Sequence, residues 1–151
     1  KAEIFNGLKK DGYILINNDN NYDEIIKYTK NYSQSNVLTY GANKKADIRL
    51  VNRNKSNNGQ KITAEADGKT YKYEVSLDGQ HQAINSLAVI GSLMLANCDI
   101  NKGLSNLDKI TLPTGRGAKY HLLIQGEESI LIDDTYNANL SSMIASLHSL
   151  N

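Results

Sequence analysis

The chain has 151 residues, enough for one ordinary domain or for one incomplete domain and part of another. With 40% hydrophobic and 22% charged residues, the composition is that of a soluble globular protein. The formal net charge of +1 excludes a general electrostatic attraction to nucleic acids or anionic membranes, and we expect neither a membrane span nor a signal peptide. The single cysteine, Cys98, lies in an apolar stretch, so we expect a buried thiol and no internal disulfide, as in a reducing cytoplasm.

The first part of the chain predicts an α/β unit. Residues 1–8 have the pattern of the end of a helix. The continuous apolar run over residues 13–17 is typical of a strand that is buried on both faces, as in a parallel sheet. Residues 22–32 then predict a helix, and residues 37–40 predict a second short strand.

An antiparallel meander follows this unit. Residues 46–54 alternate between apolar and polar side chains, with Ile48 and Leu50 on one face. Residues 61–66 and 71–77 predict two further strands, which are separated by Asp-Gly, a strong hairpin dipeptide.

The second half of the chain begins with the clearest helix, over residues 80–96. Its apolar stripe consists of Ile84, Leu87, Ala88, Gly91 and Leu95. Residues 100–107 predict another helix, and residues 111–117, with the only proline and two glycines, predict a domain boundary. Two strands over residues 120–124 and 130–132 follow, and a last helix begins near Asn139.

Several short motifs carry a family resemblance. The segment Ile-Asp-Asp-Thr-Tyr-Asn-Ala-Asn-Leu-Ser-Ser-Met, residues 132–143, resembles the strand, loop and helix that open the C-terminal domain of Mur ligases. Its Asp-Thr-Tyr-Asn-Ala-Asn form is similar to that of the members that add D-alanyl-D-alanine. Gly115-Arg116 lies upstream at the family's usual distance, and residues 79–85 resemble the family element Gly-x-His-Asn-x-x-Asn. Residues 1–5 and 17–19 resemble the helix and strand that precede it.

The resemblance implies an α/β fold in two parts. Residues 1–111 would be part of the central ATP-binding domain, with a mostly parallel sheet and an antiparallel extension. Residues 112–151 would be the beginning of the α/β C-terminal ligase domain. In the family, the phosphate-binding loop and the N-terminal domain that holds the uridine nucleotide precede this region, and the rest of the C-terminal domain follows it.

The resemblance also implies a reaction. The parent enzyme would be a cytoplasmic bacterial ligase that uses ATP and Mg²⁺ to join D-alanyl-D-alanine to UDP-N-acetylmuramoyl-tripeptide, through an acyl phosphate. This reaction belongs to peptidoglycan synthesis and hence to cell shape and division. Because the phosphate-binding loop lies outside the 151 residues, we expect the isolated chain to be inactive.

Three residues of the first part match family positions with assigned roles. Lys1 corresponds to the lysine that is carbamylated, and its carbamate would help to position magnesium. His81 and Asn85 lie four residues apart at a helix start and therefore share one face. The resemblance implies that this helix start meets the adenosine of ATP, with Asn85 nearer the base and His81 orienting the loop. One position departs from the family, because Gln82 replaces an asparagine and its amide reaches one methylene further.

The remaining site residues follow the predicted boundary. Arg116 would contact ATP phosphate, for which a guanidinium fork suits better than an ammonium group. Asp134 corresponds to a residue near the ribose and phosphates. The loop that contains Tyr136, Asn137 and Asn139 would face the substrate.

Structural alternatives exist for most of these residues. Lys1 is compatible with an ordinary solvated helix lysine. Asp134 could end a strand and cap a turn, and Asn139 fits the N-cap of the last helix. Asn17 and Asp19 follow a buried strand, where α/β sheets place ligands, but turn formation explains them equally well.

Two other functions remain open at this point. The first is a different Mur-type or folylpolyglutamate-type ligase. The second is a nucleotide-binding or scaffold module that keeps the fold without catalysing the reaction.

Overall fold

A computed structural model describes residues 2–9, 11–19, 24–25, 27, 37–136 and 139–148. The chain divides between Lys109 and Ile110 into two compact units, and the division lies close to the boundary predicted in residues 111–117. Within the described residues, no helix is both long and apolar enough to cross a membrane.

The first unit contains a five-stranded sheet in which the strands are adjacent in chain order. The strands are β1 (Ile14–Asn17), β2 (Val37–Gly41), β3 (Ile48–Ser56), β4 (Gly59–Ala66) and β5 (Lys69–Val75). β2 pairs in parallel with both β1 and β3, whereas β4 is antiparallel to both β3 and β5. The predicted arrangement, a parallel sheet with an antiparallel extension, is confirmed.

The hairpin between β4 and β5 forms where the Asp-Gly dipeptide predicts it. Asp67 and Gly68 have φ angles of 49° and 67°, the left-handed conformation that a type I′ turn requires at both central positions. Ala66 consequently pairs with Lys69 at the first position of the ladder. The turn sets the register that brings Ile62, Ala64 and Ala66 to the buried face of β4.

Helix α1 (Gln80–Leu95) covers this buried face and encloses the core of the first unit. Of the predicted stripe, Ile84, Leu87 and Gly91 are buried. Ala88 and Leu95 are only half-buried, and their places in the contact surface are taken by Ala83, Ser86 and Ile90. The helix lies close to the sheet at Gly91, where an added Cβ would come within 2.6 Å of Leu15 Cδ1 and 2.9 Å of Ile48 Cδ1.

Three expectations for the first unit need correction. The helix end predicted at residues 1–8 is a 3₁₀ helix (Ala2–Gly7). The helix predicted over residues 100–107 is shorter, because α2 (Ile100–Leu104) is followed by a separate 3₁₀ turn (Leu107–Lys109). Cys98 is exposed rather than buried, because α1 ends before it.

The helix predicted over residues 22–32 lies mostly outside the described residues. Glu24, Ile25 and Lys27 are described and have helical conformation.

The second unit consists of a β-hairpin and a helix. β6 (Ala118–Ile124) and β7 (Glu127–Asp133) form an antiparallel pair. β6 begins two residues before the predicted strand, and β7 extends the other predicted strand at both ends. Helix α3 (Leu140–His148) follows and begins where the sequence predicts it.

Candidate active site

The loop that leads into α1 carries two of the predicted site residues. Gly79 precedes the helix with a φ of 100°, a conformation that favours glycine, and makes no side-chain capping bond. The imidazole of His81 packs against it, since an added Cβ on Gly79 would lie 2.8 Å from His81 Cε1. His81 and Asn85 are both exposed and lie about one helical turn apart. The structure therefore brings these two side chains together at the helix start.

The charge at this helix start is favourable for an anionic ligand. The first turn of α1 contains no acidic residue, and its backbone N–H groups carry the partial positive charge of the helix dipole. A nucleotide is compatible with this end of the helix, because it combines negative charge with a base that an amide such as Asn85 can recognise.

A buried amide fixes the same loop, and sequence reasoning missed it. Gln60 on β4 is completely buried. Its Nε2 donates to the carbonyl oxygens of Leu77 at 2.7 Å and Gly79 at 3.1 Å, and its Oε1 accepts from Arg53 Nη1 at 3.3 Å. The sequence feature that could have revealed Gln60 is the alternation of β4, which places it on the same inward face as Ile62.

Asp78 completes this network from within the loop. Its carboxylate accepts from the backbone N–H of Gly79 at 2.7 Å and forms ion pairs with Arg53 at 3.5 Å and Lys55 at 4.0 Å. The loop is thus held from the sheet on one side and by its own carboxylate on the other. This network positions the start of α1 and, with it, His81 and Asn85.

The polar residues after β1 form turns, as the structural alternative predicts. Asn17 Oδ1 accepts from Asp19 N at 2.7 Å. The Asp19 carboxylate accepts from the backbone N–H groups of Ala42 and Asn43 at 2.9 Å, which links the ends of β1 and β2. Burial and the Asp19 charge together raise the pKa of Tyr40 above its ordinary value of 10.0.

In the second unit, two short backbone segments meet around Arg116. Gly117 N donates to the Asp133 carbonyl oxygen at 2.7 Å, and Tyr136 N donates to the Gly115 carbonyl oxygen at 2.9 Å. The guanidinium carbon of Arg116 lies 4.1 Å from the centroid of the Tyr136 ring, which is a cation–π contact. The structure therefore brings Arg116 and Tyr136 together.

The two aspartates after β7 have different partners. Asp133 accepts from the hydroxyl of Thr135 at 2.6 Å and from its N–H at 3.2 Å, and these bonds, the hydroxyl first, hold the pKa of Asp133 below its ordinary value. The Asp134 carboxylate accepts from the hydroxyl of Ser146 on α3. Asp134 therefore ties the end of the hairpin to the last helix.

Asn139 caps α3, as the structural alternative predicts. Its Oδ1 accepts from Ser142 N at 2.9 Å, and Ser142 Oγ accepts in return from Asn139 N at 3.1 Å. This reciprocal pair satisfies two donors at the helix start in the manner of a capping box.

Residues 1–93 match the sequence model of the Mur ligase middle domain. The chain belongs to the Mur ligase family. It is 32% identical over 152 residues to the UDP-N-acetylmuramoyl-tripeptide–D-alanyl-D-alanine ligase of Buchnera aphidicola subsp. Baizongia pistaciae, covering 97% of the chain and 31% of that protein. The enzyme of the same name from Escherichia coli is 29% identical, and the match covers 99% of the chain and 32% of that enzyme. The chain thus spans about a third of the length of these relatives.

Solved Mur ligase structures share the fold. A crystal structure of MurF from Acinetobacter baumannii matches with a TM-score of 0.82 at 20% identity, covering 99% of the chain and 31% of that protein. MurF ligase from Thermotoga maritima, solved in complex with ADP, matches with a TM-score of 0.71 at 20% identity, over 94% of the chain and 31% of that protein. Folylpolyglutamate synthetase from Lactobacillus casei matches with a TM-score of 0.68 at 15% identity, over 99% of the chain and 37% of that protein.

Two site residues of this Mur ligase chain, Lys1 and Asn137, lie outside the described residues. The described part of the chain contains no group of three His, Cys, Asp or Glu side chains that could hold a metal ion. The magnesium contact expected of a carbamylated Lys1 stays a prediction. In the first unit, the start of α1 is compatible with a nucleotide, and in the second unit the exposed guanidinium of Arg116 can bind an anion.

Proposed function

We propose that this chain forms the adenosine-binding side of the middle domain and the first elements of the C-terminal domain of a bacterial cytoplasmic ligase. Residues 1–111 and 112–151 would be the two parts. The enzyme would join D-alanyl-D-alanine to UDP-N-acetylmuramoyl-tripeptide in peptidoglycan synthesis. The observation that carries the proposal is the similarity to relatives named for this reaction, which extends over 97–99% of the chain and hence through residues 132–143.

The chemistry requires an activated carboxylate. The terminal carboxylate of the tripeptide takes the γ-phosphoryl group of ATP, which gives an acyl phosphate and releases ADP. The amine of D-alanyl-D-alanine then attacks the carbonyl carbon, and the tetrahedral intermediate collapses to the amide as inorganic phosphate leaves. Catalysis of this kind depends mainly on positioning the reactants and on neutralising crowded negative charge.

The residues of the first unit would bind the nucleotide. Asn85 would recognise the base, and His81 would hold the loop that faces the adenosine. The network of Gln60, Arg53 and Asp78 keeps this helix start in place. Lys1, once carbamylated, would offer an anionic oxygen ligand to Mg²⁺, whose charge would offset that of the phosphates.

The residues of the second unit would act on the phosphates and the peptide substrate. Arg116 would bind an ATP phosphate oxygen, and within the described part of the chain no carboxylate is paired with its guanidinium. Asp134 would lie near the ribose and phosphates. The loop of Tyr136, Asn137 and Asn139 would face the substrate.

The test is a ligation assay on the complete open reading frame that contains these residues. ATP, Mg²⁺, UDP-N-acetylmuramoyl-tripeptide and D-alanyl-D-alanine, the amine that accepts the acyl group, are supplied, and phosphate release is measured. We expect release that depends on D-alanyl-D-alanine, and none from the isolated 151-residue chain under the same conditions. Release with L-alanine and UDP-N-acetylmuramate, or with glutamate and a folate, would assign the chain to a different ligase. No release with any acceptor would favour a non-catalytic module.

A further inference from the structure

The cation–π contact between Arg116 and Tyr136 belongs to a defined local structure. Two backbone hydrogen bonds, Gly117 N to Asp133 O and Tyr136 N to Gly115 O, bracket Arg116 on either side. They fix the position of the arginine backbone relative to the Tyr136 backbone. The 4.1 Å separation of guanidinium and ring is therefore set by the loop pair and not by the arginine side chain alone.

Glycine at position 115 is what permits this close approach. Gly115 is buried and has a φ of 78°. A Cβ added there would lie 3.1 Å from Tyr136 N and 3.2 Å from Tyr136 Cβ, closer than side chains normally approach. A larger residue would require Tyr136 to shift by a few tenths of an ångström and would be strained by the positive φ.

The contact restrains the arginine without using its hydrogen-bond donors. An exposed arginine has many rotamers, and each must be given up when the side chain binds a ligand. The Tyr136 ring attracts the positive charge of the guanidinium and so favours one of these rotamers. This contact uses none of the five guanidinium N–H donors, which still need hydrogen-bond acceptors. Such a side chain is prepared to bind an anion such as a phosphate.

We propose that Tyr136 is a positioning residue that holds the Arg116 guanidinium, through its ring and not its hydroxyl, in the orientation that binds ATP phosphate. The proposal rests on the proposed function, in which Arg116 is the phosphate ligand. It gives Tyr136 a role that acts through Arg116, in addition to the position of its loop beside the peptide substrate.

A double-mutant cycle on the complete open reading frame tests this role. Tyr136→Leu removes the ring and should lower kcat/KM for ATP about two- to fivefold, while Tyr136→Phe keeps the ring and should retain most of the activity. In an Arg116→Ala background, Tyr136→Leu should have no further effect, because the group it positions is gone.

A spectroscopic measurement on the 151-residue chain separates this proposal from the proposed function. The Arg116 Nε–H proton, assigned through loss of its signal in Arg116→Lys, should show an upfield ring-current shift in wild type and Tyr136→Phe. The shift should disappear in Tyr136→Leu.

The outcomes are distinct. An equal loss from Tyr136→Leu in both backgrounds would overturn the positioning role. Equal loss in Tyr136→Phe and Tyr136→Leu would overturn the role of the ring. If the wild-type enzyme does not ligate, the proposed function fails. Independently of that result, an Arg116 Nε–H chemical shift that is the same in wild type and in Tyr136→Leu would overturn the positioning role.

Discussion

Replacing Gln60 by methionine should release the loop that positions the start of α1. Methionine has nearly the same length as glutamine but no amide, so it fills the site and removes the polar contacts. The carbonyl oxygen of Leu77 would lose the Gln60 donor, that of Gly79 would lose one of its three donors, and Arg53 would lose an acceptor. The change therefore removes the polar anchor while the volume of the core is nearly conserved.

The cost follows from these lost contacts. A buried polar group that is left without a partner destabilises the fold by roughly 1–3 kcal/mol. The Gly79 carbonyl keeps the N–H groups of Gln82 and Ala83 as donors, and water can partly reach the half-buried Leu77. We therefore expect the free energy of unfolding to fall by about 1–3 kcal/mol, a sizeable share of a typical stability of roughly 5–15 kcal/mol.

Urea unfolding of the 151-residue chain and amide hydrogen exchange measure the effect. The amides of Gln82 and Ala83, which donate to the Gly79 carbonyl oxygen, should exchange faster in Gln60→Met. The control is Gln80→Met, which replaces an exposed glutamine at the first residue of α1 and should change stability by no more than about 0.5 kcal/mol. If the two variants unfold alike and helix-start protection is unchanged, Gln60 does not anchor the loop.

Four further outcomes are expected. Gly59→Ala should destabilise the chain by about 1–3 kcal/mol more than Gly68→Ala in urea unfolding. Both glycines have a positive φ, but only at Gly59 would the new Cβ lie 2.1 Å from a backbone carbonyl oxygen, so equal losses of stability would contradict this account. Because the pKa of Asp133 is lowered, its hydrogen bonds stabilise the fold at pH values above the unfolded-state pKa, and this stabilisation is lost as the pH falls through the folded-state pKa. An NMR titration of the Asp133 carboxyl should therefore give a midpoint below 3.8, and a midpoint at or above 3.8 would refute this. In the complete ligase, Arg116→Ala should cost about 2.7–4 kcal/mol in transition-state stabilisation, at least a hundredfold in steady-state ligation, with the circular dichroism unchanged; wild-type turnover would remove Arg116 from the site. Lys1→Ala should abolish most ligation, and added acetate should restore part of it, whereas full activity without acetate would show that Lys1 is not the carbamylated lysine.

Much of the fold was predictable because local pattern and tertiary structure agree. The Asp67-Gly68 turn, the strands on either side of it and helix α1 all follow from periodicity and turn chemistry. The cap at Asn139 follows from its residue type and its place before an apolar run.

The errors have physical causes that the periodicity concealed. Cys98 was expected to be buried because it lies in an apolar stretch, but Asn97 adopts a φ of 52°, as asparagine often does just after a helix end, and α1 has already stopped. Gln60 was overlooked because a polar residue at a strand end usually faces solvent. The strand period places it inward, but its partners are carbonyl groups that lie 17 and 19 residues away in the chain, which no local pattern reveals.

The candidate site was predictable only where a motif marks it. Arg116 and Tyr136 were selected by resemblance, but their mutual contact depends on two loops meeting through Gly115. Asn139 was selected as a substrate residue and as a cap, and the structure confirms the cap.

The most direct test of the central claim follows the oxygen of the substrate carboxylate. The complete open reading frame is given UDP-N-acetylmuramoyl-tripeptide labelled with oxygen-18 in its terminal carboxylate, together with ATP, Mg²⁺ and D-alanyl-D-alanine. If the protein ligates through an acyl phosphate, mass spectrometry should find the pentapeptide product and one oxygen-18 atom in each phosphate released. Unlabelled phosphate without pentapeptide would mean that ATP is hydrolysed by water, and would contradict the assignment of this chain to a D-alanyl-D-alanine ligase.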